Sequence, residues 1–196
     1  MKKDKLLLKS LKEGNNMKNK IAIVGAGGFG REVAWLIERI NQSTNNYEMI
    51  GFFDDKKIKN ESIHNYAVLG PIDDLKNYPE SLNLVIAIGN AEVKEKMVKR
   101  IKEIKQFIYP NLIDPSSIID EHLIGEGNII CAHNICTCDY HIKDFVILNL
   151  SCTVGHDASI DSYTTISVSY THLKLRRIKM PRLYRKHQSP PIRIKR

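Results

Sequence analysis

His156 and Asp157 place an imidazole beside a carboxylate in the second half of the chain. A neutral imidazole is a general base near pH 7, and an acidic neighbour orients or polarises it. A surface His-Asp pair is most often inert, so these residues alone leave both readings open. A second group, Gly25-Ala26-Gly27-Gly28-Phe29-Gly30, lies near the N-terminus. Glycines let a backbone approach an anion closely, and free amides at a helix start favour phosphate. The same glycines would also serve tight helix–strand packing. Asp54-Asp55 follow about 25 residues later. Their carboxylates either accept from ribose hydroxyls or a base, or stand in a solvated loop. Gly89-Asn90 complete the set of candidate ligand-binding turns.

These residues need elements to position them. Residues 20–24 (KIAIV) read as a buried strand running into the glycine turn. Phe29, Val33, Leu36, Ile37 and Ile40 then recur at helical spacing. Strand, glycine turn and helix in that order are the context a phosphate-binding turn requires. Residues 47–53 predict a second strand ending at Asp54-Asp55. Residues 84–88 predict a third, ending at Gly89-Asn90 and leading into a helix near 92–105. In a parallel sheet all three strand ends share one edge, where open α/β sheets bind ligands.

From Leu112 onward the period changes. Leu112, Ile118, Ile124, Ile130, Cys136, Ile142, Leu148, Val154, Ile160 and Ile166 fall six residues apart, and all are apolar. Six is neither the helical nor the plain strand period. It predicts a parallel β-helix, a three-sided coil with one apolar side chain per side facing the axis. The candidate pair at His156 then lies two positions after the inward Val154, near a corner. Cys131, His133, Cys136, Cys138 and His141 form a dense cluster, but a zinc site needs four converging side chains. Cys136 takes an inward place and its neighbours should face elsewhere, so no metal site is expected.

The 196 residues carry a net charge of +8, which suggests an anionic partner. Its distribution removes that reading: residues 1–16 carry +3, residues 168–196 carry +10, and the body between carries −5. Nucleic-acid binding by the body is not expected. No apolar run approaches membrane-spanning length, and three leucines near the N-terminus are too few for a signal peptide. The four cysteines suggest reduced thiols and a cytoplasmic protein. The expected organisation is an extension over 1–16, an α/β domain over 17–110, a β-helix domain over 111–167, and a basic non-repeat tail over 168–196. The tail's first residues, 168–173 (VSYTHL), resemble a translated sequencing adapter, so the tail reads either as a read-through artefact or as a genuine basic tail, which the underlying nucleotide sequence would decide.

Taken together, GAGGFGREVAWLIE, GFFDD, VIAIGNAEVKEK, and the hexads with ILN and VGHD resemble the sugar O-/N-acyltransferases of the sialic-acid O-acetyltransferase type. The bacillosamine-pathway UDP-4-amino-sugar N-acetyltransferases belong to the same group. The match runs in order over about residues 18–167. It implies a Rossmann-like domain that holds a nucleotide-sugar and a left-handed β-helix, of which the hexads of this chain would form about three coils. It further implies a homotrimer with acetyl-CoA bound between neighbouring β-helices, and no metal. By position, Gly25, Gly27, Gly28, Phe29 and Gly30 match the sugar-nucleotide turn, Asp54 and Asp55 the acidic pair, and Gly89 and Asn90 the IGN turn. His156 matches the catalytic base, Asp157 its acidic neighbour and Asn149 the asparagine of the ILN segment. The implied reaction is direct acyl transfer.

Phe29 stands where some members have a polar residue. The family's coil also continues past the catalytic His, so the chain as written is expected to bind acetyl-CoA poorly. Two other readings follow from the same residues. One is a non-catalytic sugar-nucleotide-binding scaffold. The other is an NAD-dependent oxidoreductase, which the short first domain and the hexads disfavour.

Overall fold

The computed structural model describes residues 18–167 and 178–179. The readings of residues 1–16 and of most of 168–196 lie outside the described residues. The first half is a five-stranded sheet, β1 (Asn19–Val24), β2 (Tyr47–Phe53), β3 (Ser62–Ile63), β4 (Tyr66–Gly70) and β5 (Asn83–Ile86), with helices α1 (Gly28–Thr44) and α2 (Ala91–Ile104). The strand order is β3-β4-β2-β1-β5, parallel except for β3.

Alternation along the strands assigns the two faces of the sheet. Ile21, Ile23 and Phe52 pack toward α1, with Val33, Leu36 and Ile37. Ala22, Val24 and Phe53 pack on the other face with Val98 and Ile101 of α2. The β3–β4 hairpin was not expected from sequence. Its two-residue loop, His64-Asn65, has positive φ at both positions, the backbone of a type I′ turn. The third predicted strand is shorter than expected, ending at Ile86 rather than Ile88.

The second half pairs into three short parallel ladders visited in rotation. One contains β6 (Leu112–Ile113), β7 (Ile129–Ile130), β10 (Ile147–Leu148) and β13 (Thr165–Ile166). Another pairs β8 (Ile135–Cys136) with β11 (Thr153–Val154). The last pairs β9 (His141–Ile142) with β12 (Ser159–Ile160). Successive rungs such as Ile129, Ile147 and Thr165 lie eighteen residues apart. The two-residue strand β14 (Ile178–Lys179) pairs antiparallel with β12. Left-handed backbone at Gly127, Phe145 and Tyr163, at His133 and Ser151, and at Asp139 and Asp157 repeats at the same interval and turns the chain from side to side.

Inside the coil, Ile130, Cys136, Ile142, Leu148, Val154 and Ile160 are buried together, with Ile124 and Ile166 partly buried against them. Two of the ten hexad positions differ from expectation. Ile118 is 64% exposed, and Leu112 packs toward α1 instead of the coil axis. Ile113 and Ile119 take the inward places, because Ile113 pairs with Ile130 and Ile118 bridges Ile135. The first turn is one residue short, at the 3-10 segment Glu121–Leu123. Buried Tyr140 fills the interior there, and its hydroxyl accepts from the Asp120 amide at 2.6 Å and donates to the Asp120 carbonyl at 3.0 Å.

The two halves share one core. Leu112, Ile129, Cys131 and Ile147 join the cluster beneath α1. Within this seam the Arg39 guanidinium grips the fully buried Asp114 carboxylate at 2.6 and 3.0 Å. Asp114 also accepts from the Ser116 amide and hydroxyl. Burial alone would raise its pKa; these partners outweigh that and hold it at about 2.

A depressed carboxylate pKa stabilises the fold above the unfolded value and loses that contribution as pH falls toward the folded one. For Asp114 the window runs from about 4 down to about 2, and the contribution at neutral pH is about 2 kcal/mol. Arg39→Met leaves the buried carboxylate without its cation. Acid unfolding followed by circular dichroism should then begin at higher pH; superimposable titrations of the two proteins would refute this role for the pair.

Candidate functional site

The C-terminal edge of the sheet gathers the first group of candidate residues. β1 enters the turn at Gly25, whose amide donates to the Phe53 carbonyl. Gly25 has φ +101°, and a Cβ there would sit 3.0 Å from the Ala87 carbonyl oxygen. A Cβ on Gly30 would come within 2.1 Å of the Gly25 carbonyl oxygen. These two glycines let α1 start directly against the strand. Gly27 and Gly28 differ: a Cβ on Gly27 meets nothing within 4 Å, and one on Gly28 only the tip of Arg31. Protein packing therefore does not require them to be glycine. Their smallness keeps space open beside the first amides of α1. Gly89 likewise faces open space. Phe29 is partly buried against the core beneath α1.

The adjacent carboxylates divide between two tasks. Asp54 Oδ2 accepts from the Ala26 amide at 2.8 Å, so the end of β2 braces the glycine turn, and Oδ1 accepts from the Lys56 amide. Asp55 points the other way. Its Oδ1 accepts from the Ile72 amide at 2.9 Å and its Oδ2 from Arg100 of α2 at 2.5 Å, while Arg100 also reaches Asp73 at 2.7 Å. Partial burial would raise the Asp55 pKa; the Ile72 amide and Arg100 together bring it below the ordinary value. The structure thus commits Asp55 to fastening α2 to the sheet. Asn90 caps α2, its side-chain oxygen accepting from the Val93 amide.

The second group lies on the coil. Asn149 follows β10, donates to Ser167 at 3.2 Å and accepts from the Leu150 amide. His156 and Asp157 occupy a corner after β11. His156 Nδ1 lies 2.7 Å from Asp157 Oδ2, and the imidazole is 64% exposed. A carboxylate only accepts, so Nδ1 carries the hydrogen in the neutral ring, and Nε2 presents its lone pair outward. Asp157 has φ +57°, a conformation aspartate tolerates. A Cβ on the preceding Gly155 meets nothing within 4 Å, so room is left beside the ring. Among the described residues no hydrogen bond joins His156 or Asp157 to the glycine turn. Three of the cysteines are buried and poor nucleophiles: burial pushes Cys131 up to about 12 and Cys136 up to about 11, and raises Cys152. His133, Cys138 and His141 are exposed. Among the described residues no group of three or more His, Cys, Asp or Glu is placed to hold a metal.

The PglD N-terminal domain family matches residues 20–101. The acetyltransferase domain of PglB from Neisseria gonorrhoeae FA1090 is 30% identical, covers 76% of this chain and 71% of its own, and superposes with a TM-score of 0.67. The chain belongs to the PglD-like family of sugar acetyltransferases. The same PglB domain has been solved in complex with acetyl coenzyme A. WeeI from Acinetobacter baumannii AYE is 27% identical over 74% of this chain and 68% of its own, with a TM-score of 0.60. PerB from Caulobacter crescentus, solved with CoA and GDP-perosamine, shares the fold at 22% identity, covering 74% and 67% of the two chains with a TM-score of 0.62.

Within this PglD-like chain, two side chains join the halves directly at the Gly89-Asn90 turn, and neither was expected from sequence. Lys94 is 1% exposed and lies on the buried stripe of α2 with Val98 and Ile101. Burial lowers its pKa to about 7. Thr165 of β13 donates to the Gly89 carbonyl at 2.7 Å. A lysine at i of an i, i+4, i+7 stripe was the available signal for the first; nothing local marked the second.

The glycines give a test that separates packing from ligand space. Gly30→Ala forces a backbone shift and should destabilise by about 1–3 kcal/mol in thermal or denaturant unfolding. Gly27→Ala should leave stability within about 0.5 kcal/mol. Equal losses at both positions would remove the distinction.

Proposed function

We propose that the chain transfers an acetyl group from acetyl-CoA to an amine or hydroxyl of a sugar or nucleotide-sugar, with His156 as the general base. The observation that carries this reading is the His156–Asp157 pair at 2.7 Å, exposed at a corner of the coil beside the open Gly155. His156 Nε2 takes the proton from the acceptor as its nitrogen or oxygen attacks the thioester carbonyl. The oxyanion collapses, the carbon–sulfur bond breaks, and the proton goes on to the departing thiolate. Asp157 holds the ring in the required tautomer and offsets the charge on the imidazolium. Asn149, on the neighbouring corner, contributes polar contact near the reacting groups.

In this reading the ladders form a left-handed parallel β-helix of about three coils over 111–167, following a Rossmann-like domain over 17–110. The nucleotide-sugar lies along Gly25, Gly27, Gly28, Phe29 and Gly30, with its phosphates at the first amides of α1. Asp54 and the Gly89-Asn90 turn flank it, and Asp55 acts at one remove by holding the strand end. The relatives solved with acetyl coenzyme A, and with CoA and GDP-perosamine, support both substrate classes. Exposed Ile118, Ile135 and Leu150 on the outside of the coil support a homotrimer. No helix among the described residues is long and apolar enough to cross a membrane. Four free thiols support a cytoplasmic setting.

The test is acetyl transfer to an amino-sugar nucleotide, read as thiol release. His156→Ala should lower kcat by about 10²- to 10⁴-fold, and Asp157→Asn should cause a smaller loss. Undiminished turnover by His156→Ala would exclude His156 as base. Nucleotide-sugar binding without turnover in the parent chain would favour a non-catalytic binding protein.

A further inference from the structure

The outward residues of the ladder facing the first domain run Leu112, Ile129, Ile147, Thr165. The first three are buried in the core beneath α1. At the fourth rung the ladder passes the sheet's C-terminal edge, and the aliphatic side chain gives way to a hydroxyl. Thr165 Oγ1 donates to the Gly89 carbonyl at 2.7 Å, which uses its one hydrogen. It accepts in return from Lys94 Nζ at 3.1 Å, and Lys94 also reaches the Thr164 carbonyl at 3.4 Å. Lys94 stands in the first turn of α2, four residues after the Asn90 cap. The three groups close a ring: turn, helix and coil are tied at one point.

For stability alone this is an unfavourable choice. Among the described residues, the hydrogen bonds Lys94 makes go to neutral acceptors, and burying an amine, charged or neutral, costs more than burying an apolar chain of the same length. The neighbouring rungs show that aliphatic side chains suffice to join coil to sheet. The polar substitution coincides with the one rung that touches a candidate ligand turn. Gly89 itself faces open space, so its own packing does not fix it there.

We propose that Lys94 and Thr165 are positioning residues: they clamp the Gly89-Asn90 turn to the coil and so set the nucleotide-sugar at a fixed place relative to the acyl-transfer corner. This rests on the reading of that turn as part of the nucleotide-sugar site. The clamp makes the first domain's ligand turn depend on a side chain supplied by the coil. A first domain carrying every glycine and aspartate of the site but lacking this rung would bind the nucleotide weakly.

The experiment compares the parent chain with Lys94→Met, Thr165→Val and Thr165→Ser, each titrated with UDP and with GDP by calorimetry and melted by circular dichroism. Lys94→Met and Thr165→Val should weaken nucleotide binding at least fivefold, while Thr165→Ser, which keeps the hydroxyl, stays within twofold of the parent. Lys94→Met should melt at the parent's temperature or above it. The double variant should be no weaker than the worse single one, because one clamp is lost once. Unchanged nucleotide affinity in Lys94→Met and Thr165→Val would overturn the clamp while leaving the site reading intact. A lower melting temperature in Lys94→Met matched to its affinity loss would also overturn it, by making Lys94 a stabilising residue. A parent chain that binds neither nucleotide would overturn the site reading itself, and the clamp with it.

Discussion

The seam between sheet and coil depends on a buried charge that has been fully answered. Asp114 lies at the start of the coil, wholly out of water, and would be expelled or protonated without partners. Arg39 meets it with two parallel hydrogen bonds, and Ser116 supplies two more. The guanidinium also lies 5.1 Å from the centre of the Trp35 ring, which shields its outer face. Apolar contact between α1 and the outward aliphatic residues of β6, β7 and β10 is non-directional and tolerates sliding. The fork of Arg39 does not, because both of its hydrogen bonds fail if the coil shifts by a fraction of a residue. The apolar seam thus supplies attraction, and the ion pair supplies register.

Register matters because the coil converts it into position. Eighteen residues per turn and left-handed corners at Gly127, Phe145 and Tyr163 mean that fixing one rung fixes those above it. The cost appears at the same corner. Phe145 and Tyr163 are bulky residues in a backbone region such side chains avoid. They are held there by packing: Phe145 stacks on Tyr163 at 5.6 Å and meets Tyr109 edge-on at 5.1 Å, while Lys102 of α2 lies over both Phe145 and Tyr109. The strained corner is therefore also a docking point for the second helix. Helix α1 holds the coil through Arg39, and α2 holds it through Lys102 and Lys94.

Much of this was legible in the chain, and the misses have identifiable causes. From Ile124 to Ile166 the six-residue period reads the interior correctly because every turn there keeps its full eighteen residues. It fails at Leu112 and Ile118 because each is followed by an isoleucine. A one-residue slip there leaves the apolar pattern unbroken, and only the pairing of Ile113 with Ile130 reveals it. The two aspartates after β2 are indistinguishable locally. What separates them is Arg100, forty-five positions later, which claims Asp55 and leaves Asp54 to the glycine turn. The His64-Asn65 hairpin lacked the glycine that usually announces a two-residue loop. Lys94 was hidden for a similar reason. Its partners are some seventy residues away, and a lysine on a helix otherwise rich in lysine gives no local sign of burial.

The glycines show how far sequence alone can separate site from scaffold. All of those in the turn match one fingerprint, yet the backbone needs only two of them. Gly25 must adopt a positive φ close to the Ala87 carbonyl, and Gly30 must let the helix pass the Gly25 carbonyl. Gly27 and Gly28 meet no such demand, and side chains there would project into space bounded by the free amides of α1. Gly27 is the N-cap of α1, where glycine is tolerated better than alanine, so folding alone accounts for it, whereas Gly28 has no such reason. Backbone geometry thus splits one run of glycines into two kinds: Gly25 and Gly30, which the turn cannot replace, and Gly27 and Gly28, which stand exposed with room for a side chain. Gly89 and Gly155 are of the second kind. A sequence motif records both kinds alike, because it registers the residue and not the reason for it.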